Sequence, residues 1–292
     1  MCRFSRQLCV ILGVLALTGF ANLSRADSDD ASTGTGRYGL FNGLDHRSKY
    51  ATNWFPEPIN SDELDQDQEY RINGFHAEKR GFQDTELSAE IEKSWQLLSI
   101  EIEIPYEREV DDGDRSEGMG NIEFSARHPL FQYVSPSGFF DYTFGGRFEI
   151  GIAPNSEISE DTEVVGAVFQ TIGLGNNFSI QMSAGYSTLI GPGDDGGEQN
   201  IETTAIFGYN LDNPGFLHLT RITPEFELDG ETAMNHGGDG QTALTGATGL
   251  LFAFDSIKWG EPKIQVGYIF PLNDAARQDF DWGITTSLIL EF

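Results

Sequence analysis

Cysteine is nearly missing from this chain: of 292 residues only Cys2 and Cys9 carry a thiol. Both lie in the first 26 residues, where Arg3 and Arg6 precede an apolar run from Cys9 to Phe20 and Ser24-Arg25-Ala26 forms a small-x-small cleavage site. That is the pattern of a secretory signal peptide. Neither cysteine sits in a lipobox, so the chain expected after cleavage, from Asp27 onward, has no thiol, disulfide or lipid anchor. Basic residues are scarce too, with 18 Lys and Arg against 46 Asp and Glu. Loss of Arg3, Arg6 and Arg25 leaves 15 against 46, a net charge of −31. So acidic a chain lacks the positive patch that phosphate recognition needs, which argues against nucleic acid as a partner and leaves water, small solutes and divalent cations. After residue 26 no apolar run approaches the roughly 20 residues of a membrane helix, so any membrane crossing must be made by strands.

Catalytic and metal-binding patterns are also missing. The five histidines, His46, His76, His128, His218 and His236, show neither H-E-x-x-H nor another paired ligand spacing. There is no nucleophile elbow and no phosphate loop. A barrel lipase would need Ser183 or Ser187 brought to His218, a remote construction. The acidic cluster Asp62, Glu63, Asp65 and Asp67 fails as an EF-hand, because Tyr70 falls where the loop glycine belongs and His76 where its last ligand belongs. His236 to Gly240 has the look of a calcium-loop fragment but stands in a single copy. No catalytic residue, cofactor or metal-ligand set is expected.

What the chain does have is alternation. Residues 27–68 show no sustained period and read as an acidic, largely irregular N-terminal arm. From residue 69 the pattern becomes two-residue periodic, weakly over Glu69 to Lys79 and then clearly. Leu98, Ile100, Ile102, Ile104 and Tyr106 oppose Glu101, Glu103 and Glu107. Ile122, Phe124 and Ala126 oppose Glu123 and Arg127, and Phe140, Tyr142, Phe144, Phe148 and Ile150 oppose Asp141, Arg147 and Glu149. Phe178 to Ile190, Ile201 to Leu211, Ile222 to Leu228, Thr242 to Phe254 and Pro262 to Leu272 continue the series, with Arg221, Glu225, Glu227 and Lys263 on the charged side. Thr162 to Leu174 is a strand of ambiguous register. The last thirteen residues, Phe280 to Phe292, put Phe280, Trp282, Ile284, Leu288, Leu290 and Phe292 on one parity. A long closing strand ending on an aromatic residue resembles the C-terminal strand of bacterial outer-membrane barrels, in which Trp282, Leu288, Leu290 and Phe292 would form the insertion signal for the barrel-assembly machinery.

One face is thus kept free of charge in every strand. A lipid-facing barrel enforces this, since a basic side chain at the bilayer midplane costs about 2–4 kcal/mol. The core of a secreted, soluble β-sandwich enforces it as well. Length favours the barrel: soluble strands run about five or six residues and membrane strands about nine to eleven. Aromatics such as Tyr106, Phe140, Tyr186, Tyr209 and Trp282 sit toward the ends of the apolar stripes, where an interface girdle would lie. Tight turns are expected at Lys93 to Trp95, Val134 to Gly138, Leu174 to Asn177, Asp212 to Gly215 and Asp255 to Gly260. Longer acidic loops are expected at Val110, Pro154, Gly191, Asp229 and Asn273. An even count then requires the weak first strand. The expectation is an all-β protein, a closed antiparallel up-and-down transmembrane β-barrel of about 12 strands over residues 69–292, in contact with outer-membrane lipid.

The run Ile100 to Glu107, an acidic stretch, and then Gly118-Met119-Gly120-Asn121-Ile122-Glu123-Phe124 together resemble the signature of outer-membrane proteins grouped with the meta-pathway phenol-degradation (MetA-like) family. Asn121 stands where that family has Asp. The resemblance implies an outer-membrane barrel for uptake of small hydrophobic or aromatic compounds, and it carries over no catalytic residues. From the strand registers alone, Glu101, Glu103, Glu123, Arg127, Arg147, Glu149, Arg221, Glu225 and Glu227 are expected to line the lumen. They would either pair across a filled interior or edge a water path that favours cations or neutral polar solutes.

Overall fold

The computed structural model describes residues 55–292, except 62–63, 65–67, 96–97, 136, 155–157, 176, 193–196, 213, 216–217 and 236–239. The expected signal peptide, most of the N-terminal arm with its acidic cluster, and the stretch from His236 to Asp239 fall outside the described residues. The chain forms strands β1 (Glu69–Lys79), β2 (Phe82–Trp95), β3 (Leu98–Asp111), β4 (Asp114–Met119), β5 (Ile122–Val134), β6 (Phe140–Ile152) and β7 (Thr162–Leu174). It continues through β8 (Phe178–Ile190), β9 (Gln199–Tyr209), β10 (Leu211–Asp212), β11 (Leu219–Ala233), β12 (Thr242–Phe254), β13 (Glu261–Pro271) and β14 (Trp282–Glu291). One 3-10 turn, Ala276–Gln278, precedes the last strand.

All pairings are antiparallel, and the sheet closes on itself: β1 pairs with β14 from Glu69↔Glu291 to Glu78↔Trp282, and β9 pairs with β11. Strand β4 carries the line of β5 further along β3, and β10 does the same for β9 along β11. The fold is therefore a closed barrel of twelve antiparallel staves. One end holds the start of β1 and the finish of β14, and is called the terminal end below. The opposite, loop end carries the segments 80–81, 112–113, 153–161, 191–198, 234–241 and 272–281.

Side-chain parity decides what the barrel wall separates. In β14, Gly283, Thr285, Ser287 and Ile289 are buried inside, whereas Ile284 and Leu288, at 42% and 57% exposed, point away from the axis. The same holds for Ile104, Leu250 and Val266 outside against Glu103, Leu251 and Gln265 inside. Polar groups face in and apolar groups face out, the reverse of a water-soluble fold. This excludes the soluble sandwich, which would have buried Ile102, Phe144 and Leu288 against one another. Leu288 is instead exposed, and Ile102 and Phe144 are only half-buried on the outer wall.

Local differences from the sequence expectation have local causes. Val110 to Gly118 is not a loop but the tip of a hairpin. Asp112 and Gly113 both adopt positive φ, 48° and 96°, the geometry of a two-residue primed turn for which Asp-Gly is favoured. Beyond it Arg108 and Glu117 stand directly opposite each other, so charge supports the pairing that composition seemed to forbid. Asp229 belongs to β11, paired with Thr204 and Thr245 on its two sides. Lys93 to Trp95 is not the tight turn expected there but the end of β2, because Lys93, Ser94 and Trp95 still pair with Ile100, Ser99 and Leu98. Phe280 precedes the last strand and turns inward, buried with Ile59, Ala77, Ala247 and Ile269.

Candidate functional site

The lumen is occupied from below by the chain's own N-terminal segment. Phe55, Pro56, Glu57, Pro58, Ile59 and Leu64 have no helix or strand, yet all are buried inside the barrel. Glu57 is the anchor: Arg71 Nη2 donates to its Oε2 at 2.6 Å and Lys263 Nζ donates to its Oε1 at 2.8 Å. Backbone groups of the segment are satisfied by the wall. Gln181 Nε2 donates to the Pro56 carbonyl at 2.6 Å, and Gln265 Nε2 to the Glu57 carbonyl at 2.7 Å. Glu227 accepts from the backbone N–H groups of Ile59 and Ser61, each at 2.7 Å. An irregular segment can be buried only if its backbone is paired in this way.

Packing follows the same path. Ile59 enters a pocket of Ala77, Ala247, Ile269 and Phe280, and Leu64 packs on Phe169 and Ile206. Inward-facing glycines make the room. A Cβ on Gly208 would stand 2.6 Å from Pro56 Cγ, one on Gly249 would stand 3.0 Å from Ile59 Cδ1, and one on Gly267 would collide with Ile59 outright. Glycine is the residue that lets backbone approach this closely.

Above this plug, toward the loop end, lies a cavity of about 380 Å³. Its floor is Ile59, Asn60 and Ser61, and its walls carry sixteen acidic residues against one basic residue, Arg71. Carboxylates face one another across neighbouring strands, as in Glu90↔Glu103, Glu86↔Glu107 and Glu103↔Glu123. Directly opposed like charges are destabilising unless cations or water screen them. At the rim, burial raises the Asp279 carboxyl from its ordinary 3.8 to about 6, with the Lys79 ammonium acting in the opposite direction.

The sequence-derived lumen residues divide into four groups. Glu101, Glu103, Glu123 and Glu149 line the open cavity. Arg127 and Arg147 are buried in the wall, Arg127 ion-paired with Glu101 and, at 3.4 Å, with Glu92, and Arg147 lying 3.5 Å from Glu149. Glu225 and Glu227 are covered by the plug, Glu225 accepting from Gln265 Nε2 at 2.9 Å. Arg221 stands at the terminal-end rim, 2.8 Å from Asp212 and partly exposed. Of the residues named on the closing strand, Leu288 is exposed outward, Trp282 and Leu290 are half-buried, and Phe292 stacks on Tyr70 at 4.9 Å across the β1–β14 seam. Ser183 is half-buried and Ser187 buried in β8, while His218 at the terminal end hydrogen-bonds Asp255, so no nucleophile–base contact forms between them.

Missed were Glu57, Arg71, Lys263 as its partner, Gln181 and Gln265. The available signal was the run of inward-parity glycines, Gly208, Gly249 and Gly267, which leave a groove inside the wall that something must fill.

No family model matches the chain, and no curated protein matches it. The resemblance of the central block to the meta-pathway family therefore rests on that block alone. Among solved structures, an outer-membrane channel from Pseudomonas putida F1 is similar over 82% of this chain and 100% of that one, with 12% identity and a TM-score of 0.52. The KdgM porin covers 76% of this chain and 99% of its own at 13% identity and a TM-score of 0.44. The NanC porin covers 76% and 98% at 11% identity and a TM-score of 0.47. The likeness to the Pseudomonas channel is one of fold.

Proposed function

We propose that this chain is a passive channel of a bacterial outer membrane, exported by residues 1–26 and held shut by its own N-terminal segment. The observation that carries the reading is the layered lumen: an open acidic vestibule above a plug seated on ion pairs. An apolar exterior around a polar interior supports placement in lipid, since water outside would leave the whole outer wall unfavourably hydrated. In such a membrane the terminal end faces the periplasm and the loop end faces outward. The outward-facing Trp282, Leu288, Leu290 and Phe292 serve as the signal read by the barrel-assembly machinery.

The vestibule favours small cations and neutral polar solutes over the aromatic compounds that the family resemblance would imply. Carboxylates reach it from β2, β3, β5, β6, β7, β9 and β11, whereas the large apolar side chains that line it are fewer, among them Ile59, Phe75, Val165, Leu189, Ile269 and Phe280. Passage requires the plug to shift, and no catalytic group takes part. Planar-bilayer reversal potentials test this: the wild type should prefer cations, and Glu101→Gln with Glu103→Gln should weaken that preference. Equal cation and anion permeability in the wild type would sink the reading.

A further inference from the structure

Glu90, Glu101 and Glu103 each offer a carboxylate oxygen, and the three oxygens lie within 4.8 Å of one another at the deep end of the vestibule. Glu90 and Glu103 are direct cross-strand partners on β2 and β3, and Glu101 precedes Glu103 by two residues on the same inward face. The Glu90 side chain is only 5% exposed, and its Oε1 has no hydrogen-bond partner among the described residues. Its other oxygen is 3.8 Å from Arg71 Nε, a weak contact with a guanidinium already held by Glu57 at 2.6 Å and Glu69 at 2.8 Å. Arg127 pairs with Glu101 and Glu92 on the neighbouring part of the same wall. A buried carboxylate without a full partner is costly and is ordinarily paired or metal-bound.

We propose that Glu90, Glu101 and Glu103 form a divalent-cation site, and that calcium is the ion they suit. The donors are all oxygen, the hard ligand set of calcium and magnesium. Calcium–oxygen distances of about 2.3–2.6 Å put ligands on opposite sides of one ion roughly 5 Å apart, so the observed spacing admits a single ion without rebuilding the wall. Three carboxylates leave several coordination positions for water, which the adjoining cavity supplies. Magnesium needs a tighter octahedron and keeps its waters, so it should bind more weakly here. Bound calcium would neutralise the Glu90–Glu103 repulsion beside Arg71, the direct cross-strand partner of Glu90, and so would steady the guanidinium that holds the plug.

The site stands on the fold and not on the channel reading, and its test needs no current. The metal-stripped, detergent-solubilised full chain would be titrated with calcium chloride in a calorimeter. One saturable site per chain is expected, with magnesium a weaker competitor. Glu90→Gln and Glu103→Gln should each lower calcium affinity by at least about tenfold, as loss of a charged oxygen ligand does, and Glu86→Gln, on the same wall outside the trio, should change it little. Heat-modifiable gel mobility checks that each variant is folded, and the half-exposed Glu103 decides the matter if Glu90→Gln fails to assemble. Absence of saturable calcium binding in the wild type, or equal weakening by all three variants, would overturn the proposal, the latter by showing only diffuse attraction to an acidic cavity.

Discussion

Lys263 Nζ donates to Glu57 Oε1 at 2.8 Å across 206 residues of sequence, tying an irregular N-terminal segment to a barrel strand near the far end of the chain. Both side chains are essentially inaccessible, at 0% and 1% exposed, and Arg71 completes the cluster from β1. Removing one partner from a buried pair costs about 3–5 kcal/mol when the other charge is left uncompensated, and somewhat less here, because Lys263 keeps Glu291 and Arg71 keeps Glu69, each at 2.8 Å. Because Glu57 lies on the segment and its partners on the wall, that cost falls on the seated state of the plug.

Glu57→Gln should therefore loosen the plug without dissolving the barrel. A background without residues 1–26 contains no cysteine, so Ile59→Cys gives a single reporter at a buried position. Its reaction with a water-soluble thiol reagent should be slow with Glu57 present and at least about tenfold faster with Glu57→Gln, given more than 1.4 kcal/mol of lost seating energy. Equal labelling rates would show that the ion pairs do not hold the segment.

Gly267→Val approaches the same seat from the wall. The new side chain would occupy the space of Ile59, which already touches that position closely. The barrel should still show heat-modifiable mobility, and Ile59 should be driven out, raising the labelling rate of a neighbouring Ser61→Cys reporter. A folded Gly267→Val variant with unchanged labelling would contradict the seat described here.

How much of this was legible in the sequence differs between the wall and its contents. The outward stripe was readable in strands such as β3 and β14, where Ile100, Ile104, Ile284 and Leu288 alternate with polar residues, because a barrel wall with an apolar outside and a polar inside imposes period two. In β7 the stripe blurred: Val165, Ala167 and Phe169 are buried on the inner face, Phe169 against Leu64 of the plug, so both faces are apolar. The plug had no period to read, since Phe55 to Ile59 is held by wall side chains and not by a backbone ladder. Glu225 and Glu227 were correctly placed inward by parity, but parity says nothing about whether water or chain covers them.

The exterior makes its own prediction. Val266 lies midway along β13 and is 45% exposed on the outer wall. Val266→Arg should cost about 2–4 kcal/mol if that wall meets lipid, and should lower the yield of folded, heat-modifiable protein on refolding into vesicles. Unchanged assembly would argue that water, not lipid, surrounds the barrel.

Acidity of the medium should act through Asp279 at the vestibule rim. A carboxyl raised to about 6 from 3.8 favours the folded rim when protonated, so this contribution is full below 3.8 and is lost as pH rises through about 6. The charge it gains over that interval adds to the cation-attracting field. Cation selectivity should rise between pH 5 and 7, and Asp279→Asn should flatten the rise. A wild-type selectivity that is level across this range would remove Asp279 from the account.

Single-channel recording of the full chain beside a variant lacking residues 55–61 tests the central claim most directly. The full chain should give small or rare steps, and the truncated chain, still assembled as a barrel, should give larger, cation-selective steps because the lower half of its lumen is then empty. Conductance unchanged by removal of the segment would contradict the plugged-channel account.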